Sequence, residues 1–575
     1  MKAKLLLLLI CLSNFSWAQN NNQAFEWAFN TKAGINTVKQ IKYDPQGNLF
    51  VLGSISMKGK WGATDIPCNP KASSYPGTGE YLGKISQSGT QTFIKSLNNP
   101  AAALTCYLMD IDAQGNVFIL GSAKASSSAL ADFGNGVTLN ANGYFLLKLN
   151  ASGVAQWAKT YSMGLTSWSA FTNASGFKIL PNGDMFLSIY CPNTPYKYWL
   201  LKTNAAGEEI WHRESVANTL SVGGFNCASS GQWVDEVGNS FITKYTTETK
   251  ITLGSDSIIA PATPGAYLYV FAIDPTGKTI WQNAYSNAEI VDYTVNSKTS
   301  EITMIYVQTG KNNAPFDSLI YTGLPFPSLF KGLVKTSITG TKINYKPFSV
   351  FDSIRIGDPK KIIGLPDGST AMWSDLIKES SAFIKGQFIS LNNSKDQDLF
   401  IETNSSLQAK YLIALEKGSN SSSVNLASYQ NKVGVSGDLF LPKDTLITIN
   451  KTTLAAGTND PTFSKDFPIF ANIRTDVYIA QWDRSLEAGA TSALKENKLT
   501  ASAILFPNPF TDILNLQSTQ NIQEISIINL AGQVVWKNTF NHKQISLNLE
   551  TLEPGIYFLC YKNDFGSDSK KIIKY

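Results

Sequence analysis

The chain has 575 residues, of which 16% are charged and 11% aromatic, and its net charge is +5. This length permits one large or several small domains, and low charge with many Gly, Asn, Ser and Thr residues favours an exposed all-β protein. The small positive excess forms no run or stripe. Nucleic-acid binding requires a concentrated basic face, so we expect no nucleic-acid partner.

The N-terminus has the pattern of a secretory signal peptide at residues 1–18. Lys2 and Lys4 form a basic start, residues 5–12 are apolar, and Ser16 and Ala18 place small side chains at the two cleavage-site positions. The apolar stretch is shorter than the about 20 residues that span a bilayer. No later stretch is long and apolar enough to cross a membrane, so we predict no transmembrane segment.

A five-residue phrase recurs further along the chain, between apolar stretches. It reads Asp-x-x-Gly-Asn at residues 44–48 and 112–116, with weaker copies that begin at residues 180, 235 and 365. Gly permits a positive φ, and a neighbouring Asn or Asp tolerates the same region, so the phrase predicts a turn between two strands. The glycines of this first turn are Gly47, Gly115, Gly183, Gly238, Gly368 and Gly418.

A second turn alternates with the first and precedes an aromatic residue. Its glycines are Gly89, Gly153, Gly207, Gly277 and Gly340. In the first four copies an aromatic residue follows the glycine by four positions: Phe93, Trp157, Trp211 and Trp281. Each repeat is therefore predicted to contain four strands, with a turn after the first, a longer excursion after the second and a turn after the third.

Four-stranded units repeated radially predict a β-propeller. The alternative is an open row of separate sandwiches. We count seven units, with six or eight as alternatives because the last two diverge. The last unit has a third strand at residues 477–482 but lacks a fourth, and a spare strand lies at residues 25–29. We therefore predict that the strand containing Trp27 completes the seventh blade and closes the ring.

The pattern over roughly residues 24–488 resembles Bacteroidota propellers of the SBBP or NHL type. This resemblance implies a scaffold, because propellers host binding, structural and enzymatic roles alike. The predicted boundaries are residues 19–488 for the propeller and 489–500 for a linker.

Residues 501–575 contain short alternating strands with Gly turns, which predict a small Ig-like β-sandwich. The motif residues in this part are Pro507, Asn508, Pro509, Gly532, Gly555, Lys570 and Lys571. Their order resembles the type A sorting domain of the Bacteroidota type IX secretion system. The resemblance implies passage through the periplasm, recognition by the type IX machinery, export across the outer membrane and removal of this domain at the cell surface. The alternative is an ordinary Ig-like module that stays attached.

Residues suited to catalysis are scarce. The chain has two histidines, His212 and His542, and no Gly-x-Ser-x-Gly motif. Each turn offers one Asp, which is too few for a calcium loop, and the six cysteines include no CxxC pair. We therefore predict no catalytic residue, no cofactor and no metal.

Some residues keep other functions open. Acids that could converge at the centre of a ring are Asp110, Asp112, Asp235, Asp292 and Asp367. Tryptophans outside the repeated position suit either stacking on sugars or packing between blades: Trp61, Trp168, Trp199, Trp233 and Trp373. Variable excursions are typical either of binding loops or of hairpins that cover blade edges: residues 58–75, 126–142, 247–264 and 438–467.

The sequence thus predicts a secreted or cell-surface-attached, non-enzymatic binding or adhesion protein with a glycan or a protein as its ligand. One alternative is a glycan-active hydrolase or lyase that uses acids at the propeller centre. The other is a structural component of the cell envelope.

Overall fold

The computed structural model describes residues 25–30, 35–56, 59–61, 64–66, 78–97, 102–125, 130–140, 142–163, 173–191, 196–217, 224–261, 265–309, 329–347, 356–376, 381–384, 387–390, 397–407, 409–416, 424–440, 446–449, 452–455, 475–484, 504–529, 534–563 and 566–575. The chain divides into two compact units, Met1–Arg484 and Ser485–Tyr575. Several predicted features lie outside the described residues: the signal peptide at 1–18, the linker at 489–500, Gly418, Gly532, Cys68 and Trp168.

The described part of the first unit is built from strands. The first are β1 (Phe25–Asn30), β2 (Ile35–Tyr43), β3 (Leu49–Ser56), β4 (Gly59–Trp61), β5 (Thr64–Ile66), β6 (Thr78–Ile85), β7 (Gln91–Ser96), β8 (Ala102–Ile111), β9 (Val117–Ala125), β10 (Leu130–Asp132), β11 (Thr138–Asn140), β12 (Asn142–Leu149) and β13 (Ala155–Tyr161). Next come β14 (Asn173–Ile179), β15 (Met185–Cys191), β16 (Tyr196–Thr203), β17 (Glu209–Ala217), β18 (Ser240–Thr246), β19 (Lys250–Leu253), β20 (Asp256–Ile259), β21 (Tyr267–Ile273), β22 (Thr279–Ser286), β23 (Ala288–Val295) and β24 (Glu301–Thr309). The unit continues with β25 (Leu329–Ser337), β26 (Lys342–Pro347), β27 (Ile356–Gly364), β28 (Thr370–Leu376), β29 (Ser381–Ile384), β30 (Gln387–Ser390), β31 (Gln397–Thr403), β32 (Ala409–Glu416), β33 (Val424–Tyr429), β34 (Lys432–Phe440), β35 (Leu446–Ile449), β36 (Thr452–Ala455) and β37 (Thr475–Asp483).

Most of these strands pair antiparallel with their neighbours in the chain. We number the main sheets in chain order: sheet 1 (β2, β3, β6, β7), sheet 2 (β8, β9, β12, β13), sheet 3 (β14–β17), sheet 4 (β18, β21, β22), sheet 5 (β23–β26) and sheet 6 (β27, β28, β31, β32). The closing sheet contains β33, β34, β37 and β1. The short strands in between pair as separate hairpins.

The first and last sheets meet. Strand β1 pairs antiparallel with β37, with Trp27 opposite Gln481, and β37 also forms a parallel bridge to the start of β2. Tyr43 Oη donates a hydrogen bond to Gln481 Oε1 at 2.9 Å, and Asn425 Nδ2 donates to Val38 O at 3.0 Å. First strands of neighbouring sheets contact each other, including β33 and β2. The unit therefore has a β-propeller-like, all-β fold whose two ends join.

The first turn of the repeat is held by its own side chains. Asp44 Oδ1 accepts hydrogen bonds from the backbone N–H groups of Gln46 at 3.0 Å and Asn48 at 2.8 Å, and Oδ2 accepts one from Asn48 Nδ2 at 2.8 Å. The same set of bonds recurs around Asp112 and Asp235. The recurring phrase is thus a hairpin turn capped by its first residue.

A lysine of the third strand lies above this turn. In sheet 1, Lys84 Nζ lies 4.7 Å from the centroid of the Phe50 ring and 3.1 Å from Asp44 Oδ2. The corresponding sets in sheets 2 and 3 are Lys148, Phe118 and Asp112, and Lys202, Phe186 and Asp184. Each ammonium group therefore has both a ring and a carboxylate as partners.

The described turn glycines adopt a left-handed backbone, with φ between +76° and +97°: Gly47, Gly89, Gly115, Gly153, Gly183, Gly207, Gly238, Gly277, Gly340 and Gly368. Four glycines of the second turn also lie against the repeated aromatic residue of the preceding sheet: Gly153 on Phe93, Gly207 on Trp157, Gly277 on Trp211 and Gly340 on Trp281. The turn and the aromatic residue thus form one contact between adjacent sheets.

We expect Gly340→Ala to lower the free energy of unfolding by about 3 kcal/mol, because left-handed strain adds to overpacking. The added Cβ would lie 2.7 Å from Trp281 Nε1, at a φ of +82°. Gly134→Ala is the matched control: its φ is +85° and no described heavy atom lies within 4 Å of the added Cβ. Strain alone should cost the control about 1–2 kcal/mol. Denaturant unfolding of the two full-length variants measures both losses, and equal losses would contradict a stabilising contact between Gly340 and Trp281.

The second unit is a five-stranded sheet. It contains β38 (Ile504–Phe506), β39 (Ile513–Asn529), β40 (Val534–Asn548), β41 (Gly555–Asn563) and β42 (Gly566–Lys574). The prediction of short strands is wrong for β39 and β40, which run for 17 and 15 residues. Strand β39 has register irregularities between Gln517 and Glu524, and its pairing with β41 begins within this stretch, at Ile522. One long strand can therefore change partners at an irregularity.

Candidate functional site

The segment at residues 224–234, which precedes β18, forms a turn where sister repeats have a regular first strand. Two isolated bridges connect it to β18. Gly231 has a φ of +78° and donates its backbone N–H to Ala228 O at 2.9 Å. A Cβ on Gly231 would lie 2.5 Å from Lys42 Nζ. The prediction of four regular strands in each repeat is therefore wrong for sheet 4, because this turn leads the chain away from the ladder.

The 224–234 segment contacts the first strands of distant sheets. Lys42 Nζ of β2 donates a hydrogen bond to Ser230 O at 2.7 Å. Gln232 Nε2 donates to Gly364 O of β27 at 3.1 Å, and the Gly364 N–H donates to Gln232 Oε1 at 2.7 Å. Because these strands belong to sheets 1 and 6, the segment lies in the space that the first strands enclose.

A charged cluster lies beside this segment. Asp110 of β8 lies between Lys42 of β2 and Lys178 of β14, with N–O distances of 3.7 Å and 3.4 Å. Asp110 Oδ2 also accepts the backbone N–H of Ile179 at 2.9 Å. The side chains of Asp110 and Lys42 are only 6% and 13% exposed. One acid and two bases of three successive sheets thus form a buried ion network.

Burial and the neighbouring charges shift the pKa values of Lys42 and Asp110. Burial lowers the pKa of Lys42 to about 8, although Asp110 opposes this shift. Burial raises the pKa of Asp110, but the charges of Lys178 and Lys42 outweigh it, so the net pKa lies below its ordinary value. Asp110 is therefore an ionised partner of lysines rather than a proton donor at neutral pH.

The second acid at the centre is Asp292 of β23. Its Oδ2 accepts hydrogen bonds from Ser229 Oγ at 2.6 Å and from the Ile362 N–H at 3.0 Å, and its Oδ1 accepts the Ser229 N–H at 3.0 Å. Burial raises the pKa of Asp292, and Lys361 partly offsets this. The carboxylate therefore joins the 224–234 segment to sheets 5 and 6, and both of its oxygens are used in these structural hydrogen bonds.

The other candidate acids lie in turns. Asp112 and Asp235 cap their own first turns, as described above. Asp367 Oδ2 accepts a hydrogen bond from Arg484 Nη2 at 2.7 Å. Burial raises the pKa of Asp367, but bonds from Ser369 and Arg484 outweigh this and lower it to about 2. The structure thus brings Asp110 and Asp292 towards the centre and leaves the other three at the turns.

Sequence reasoning missed Lys42, Lys178 and the 224–234 segment. A signal was present, since Lys42, Asp110 and Lys178 each stand two residues before the first turn of consecutive repeats. Alignment of the repeats would have shown charges that alternate at a buried position. Nothing local marks the 224–234 segment except its Ser-Ser-Gly sequence, which is typical of a turn.

Among the described residues, no group of three or more His, Cys, Asp or Glu side chains could hold a metal ion. Cys106 is buried, and burial raises the pKa of its thiol well above the usual value. Such a thiol is a poor nucleophile.

The candidate tryptophans differ in exposure. Trp61, Trp233 and Trp373 are at most 1% exposed and pack in the core, and each has an aromatic neighbour. Trp199 of β16 is only partly buried. Its ring stacks on His212 of β17, with centroids 4.3 Å apart and an interplanar angle of 19°. Of the described candidates, Trp199 is therefore the one that can meet a ligand.

The excursions, where described, form hairpins: β4–β5, β10–β11, β19–β20 and β35–β36. Side chains from the first three are buried, among them Trp61, Phe133 and Leu253. The hairpins β10–β11, β19–β20 and β35–β36 contact outermost strands of the sheets. These observations favour hairpins that cover blade edges over freely exposed binding loops.

The sorting-motif residues have structural roles in the second unit. Asn508 Nδ2 donates a hydrogen bond to Lys571 O, and the Ile573 N–H donates to Asn508 Oδ1, both at 2.9 Å. Pro507 and Pro509 follow cis peptide bonds. Gly555 begins β41, and Lys570 and Lys571 lie in β42. The Pro-Asn-Pro motif thus ties the beginning of this unit to its last strand.

A buried lysine near the chain end was not singled out from the sequence. Lys574 Nζ donates hydrogen bonds to Leu549 O at 2.6 Å and Glu550 O at 2.8 Å, and its side chain is 5% exposed. Its position two residues after buried Ile572, on the same strand face, is the available signal.

Residues 504–575 match the family described as the secretion system C-terminal sorting domain. No curated protein matches this sequence. In the part of the chain that the structure describes, no helix has the length and hydropathy needed to cross a membrane.

Similar solved structures share little sequence with this chain. Hydrazine synthase of Kuenenia stuttgartiensis is 10% identical, with a TM-score of 0.35, over 74% of this chain and 97% of that chain. The β-propeller domain of the Trilobed protease from Pyrococcus furiosus is 9% identical, with a TM-score of 0.36, over 74% and 100%. PorZ, a surface component of the type IX secretion system of Porphyromonas gingivalis, is 10% identical, with a TM-score of 0.19, over 95% and 100%.

Proposed function

We propose that this chain, which carries a type IX sorting domain, is secreted to the cell surface or beyond and acts there as a non-enzymatic binding or adhesion protein. In this proposal the seven sheet groups of the first unit are the blades of an SBBP-like propeller that β1 closes, and the second unit is an Ig-like domain removed after export from a Bacteroidota cell. The match of residues 504–575 supports export.

The two central acids are already bound to other groups of the protein, and this observation supports a non-enzymatic role. Asp110 contacts two lysines and a backbone N–H, and Asp292 accepts three hydrogen bonds from Ser229 and Ile362. A glycan hydrolase or lyase at the centre would need two carboxyl groups free to reach a substrate. Here the 224–234 segment stands where that substrate would bind.

The export step is tested by removing residues 504–575 in a host with type IX secretion. We expect the shortened chain to accumulate in the periplasm, because recognition by the machinery requires the sorting domain. As the matched control, residues 485–575 are fused to a periplasmic reporter, which should then appear at the surface or in the medium. Surface display of the shortened chain would contradict the proposal.

The non-enzymatic role is tested with Asp110→Asn and Asp292→Asn in the full-length protein. We expect wild type to release no soluble product from polysaccharides that it binds. Product release by wild type that both substitutions abolish would favour the hydrolase or lyase instead.

A further inference from the structure

One position in the third strand of the sheets holds an aromatic side chain in four successive repeats: Tyr81, Phe145, Trp199 and Tyr269. The strand registers establish the equivalence, since these residues lie opposite Ser96, Thr160, Glu214 and Ala284 of the outermost strands. Three of the four, Tyr81, Phe145 and Tyr269, are completely buried. Trp199, the largest, is only partly buried.

The three buried side chains lie beneath the excursion of their own sheet. Tyr81 contacts Trp61 of its hairpin at a centroid distance of 5.3 Å, and Phe145 contacts Phe133 of its hairpin at 5.6 Å. Tyr269 Oη donates a hydrogen bond to Glu248 O, just before β19, at 2.6 Å. An aromatic side chain at this position is thus ordinarily covered from within the same repeat.

Sheet 3 has no described hairpin between its second and third strands. Strand β15 ends at Cys191 and β16 begins at Tyr196, so the connection is residues 192–195, too short for a two-stranded hairpin. His212 stacks on Trp199 instead, at the position that holds Ile94, Ala158 and Gln282 in sheets 1, 2 and 4. Among sheets 1–4, the imidazole is therefore particular to the sheet with this short connection.

Charged groups surround the two stacked rings. Trp199 Nε1 donates a hydrogen bond to Glu214 Oε2 at 2.7 Å, and Lys197 Nζ lies 3.3 Å from the same oxygen. His212 Nδ1 lies 2.7 Å from Glu209 Oε1. The side chains of His212 and Glu209 are 35% and 44% exposed. Because the two rings stack face to face, each leaves only its outer face and its edges for a ligand, and carboxylates and an ammonium group that solvent can reach border the stack.

We propose that Trp199 and His212 form a carbohydrate-binding platform, which deepens the binding role proposed above and rests on it. A pyranose ring has an apolar C–H face that packs on aromatic rings and hydroxyl groups at its rim. Glu209 and Glu214 can accept hydrogen bonds from those hydroxyls, and Lys197 can donate to them. A few polar groups placed around an apolar surface fix a ligand's orientation. A protein partner would bury roughly 1,200–2,000 Å² in total, so it would need surface well beyond these five residues.

The test is affinity electrophoresis of the full-length protein in gels that contain β-glucan, xylan, mannan, pectin or starch. We expect at least one polysaccharide to retard wild type, and Trp199→Ala to weaken binding at least tenfold. His212→Ala and Glu214→Gln should each weaken it several-fold and should fold normally, because both side chains are partly exposed. Tyr245→Ala is the matched control, since it removes a 43% exposed aromatic ring elsewhere and should bind as wild type does.

Three distinguishable results would overturn the carbohydrate-binding platform. If wild type binds a polysaccharide and Trp199→Ala, His212→Ala and Glu214→Gln bind it equally well, the site is wrong and the adhesion role stands. If no polysaccharide retards wild type, the ligand class is wrong. Binding to a protein ligand that depends on Trp199 would likewise replace the carbohydrate with a protein partner.

Discussion

Removing residues 19–30, and with them β1, will lower the free energy of unfolding by on the order of 5 kcal/mol. Strand β1 pairs with β37 at Phe25, Trp27, Ala28, Phe29 and Asn30. Each backbone hydrogen bond lost with β1 contributes about 1 kcal/mol, and the deletion leaves the edge of β37 without its ladder partner. Denaturant and thermal unfolding of the full-length protein measure the loss.

The matched control removes residues 19–24 and keeps β1. We expect the control to unfold as the full mature chain does. The contacts of Tyr43 and Asn425 with the opposite sheet remain in both variants, so the deletion should weaken the closure without abolishing the fold. Equal midpoints and equal cooperativity of the two deletions would contradict a closure that depends on β1.

Arg484→Met will lower the free energy of unfolding by about 3–5 kcal/mol, because it leaves a buried carboxylate without its counter-charge. Arg484 Nε and Nη2 donate to the two oxygens of Glu402 at 3.0 Å and 2.7 Å. The Glu402 side chain is 1% exposed, whereas that of Asp367, the second acid that Arg484 contacts, is 51% exposed. The loss should therefore arise mainly from Glu402.

A double-mutant cycle isolates that cause. Adding Glu402→Leu to Arg484→Met should recover most of the lost stability, since a buried ion pair can often be replaced by apolar side chains at little cost. Asp367→Asn, which removes the exposed acid, is the matched control and should cost less than about 1 kcal/mol. A double mutant as unstable as Arg484→Met alone would show that Glu402 is not the source of the penalty.

The ion pair also explains a departure from the repeat. Sheets 1–3 have a lysine, such as Lys84, above the turn acid, and sheet 6 has Glu402 at that position and Asp367 in the turn. Because Glu402 and Asp367 both lie next to this position, a cation from outside sheet 6 is needed to balance their charges. Arg484, the last residue of the first unit, supplies it. This residue thus joins the closing sheet to sheet 6.

The acids at the centre show how composition alone can mislead. Five aspartates were candidates for a catalytic centre, and the two that face it, Asp110 and Asp292, are bound to lysines, a serine and backbone N–H groups. The sequence identified these acids, yet the groups that bind them lie 63–70 residues away along the chain. Only the fold brings those partners together.

Features that depend on a few neighbouring residues were determined by the sequence itself. The turn at Asp44 closes through bonds to residues two and four positions on, so its Asp, Gly and Asn are readable as a local pattern. The same holds for the alternating strands and for the presence of strand β1, whereas its pairing with β37 and the bonds of Asn508 to Lys571 and Ile573 depend on the fold. Contacts between distant residues were decided only by the tertiary structure: Gly340 on Trp281, Arg484 on Glu402, and the 224–234 segment across the centre. Local hydrogen bonds select residue types at fixed spacings, so a single sequence shows them as a pattern. Packing between sheets depends on which surfaces the joined ends of the unit bring together. Residues that pack in this way have no fixed spacing along the chain, so a single sequence does not reveal them.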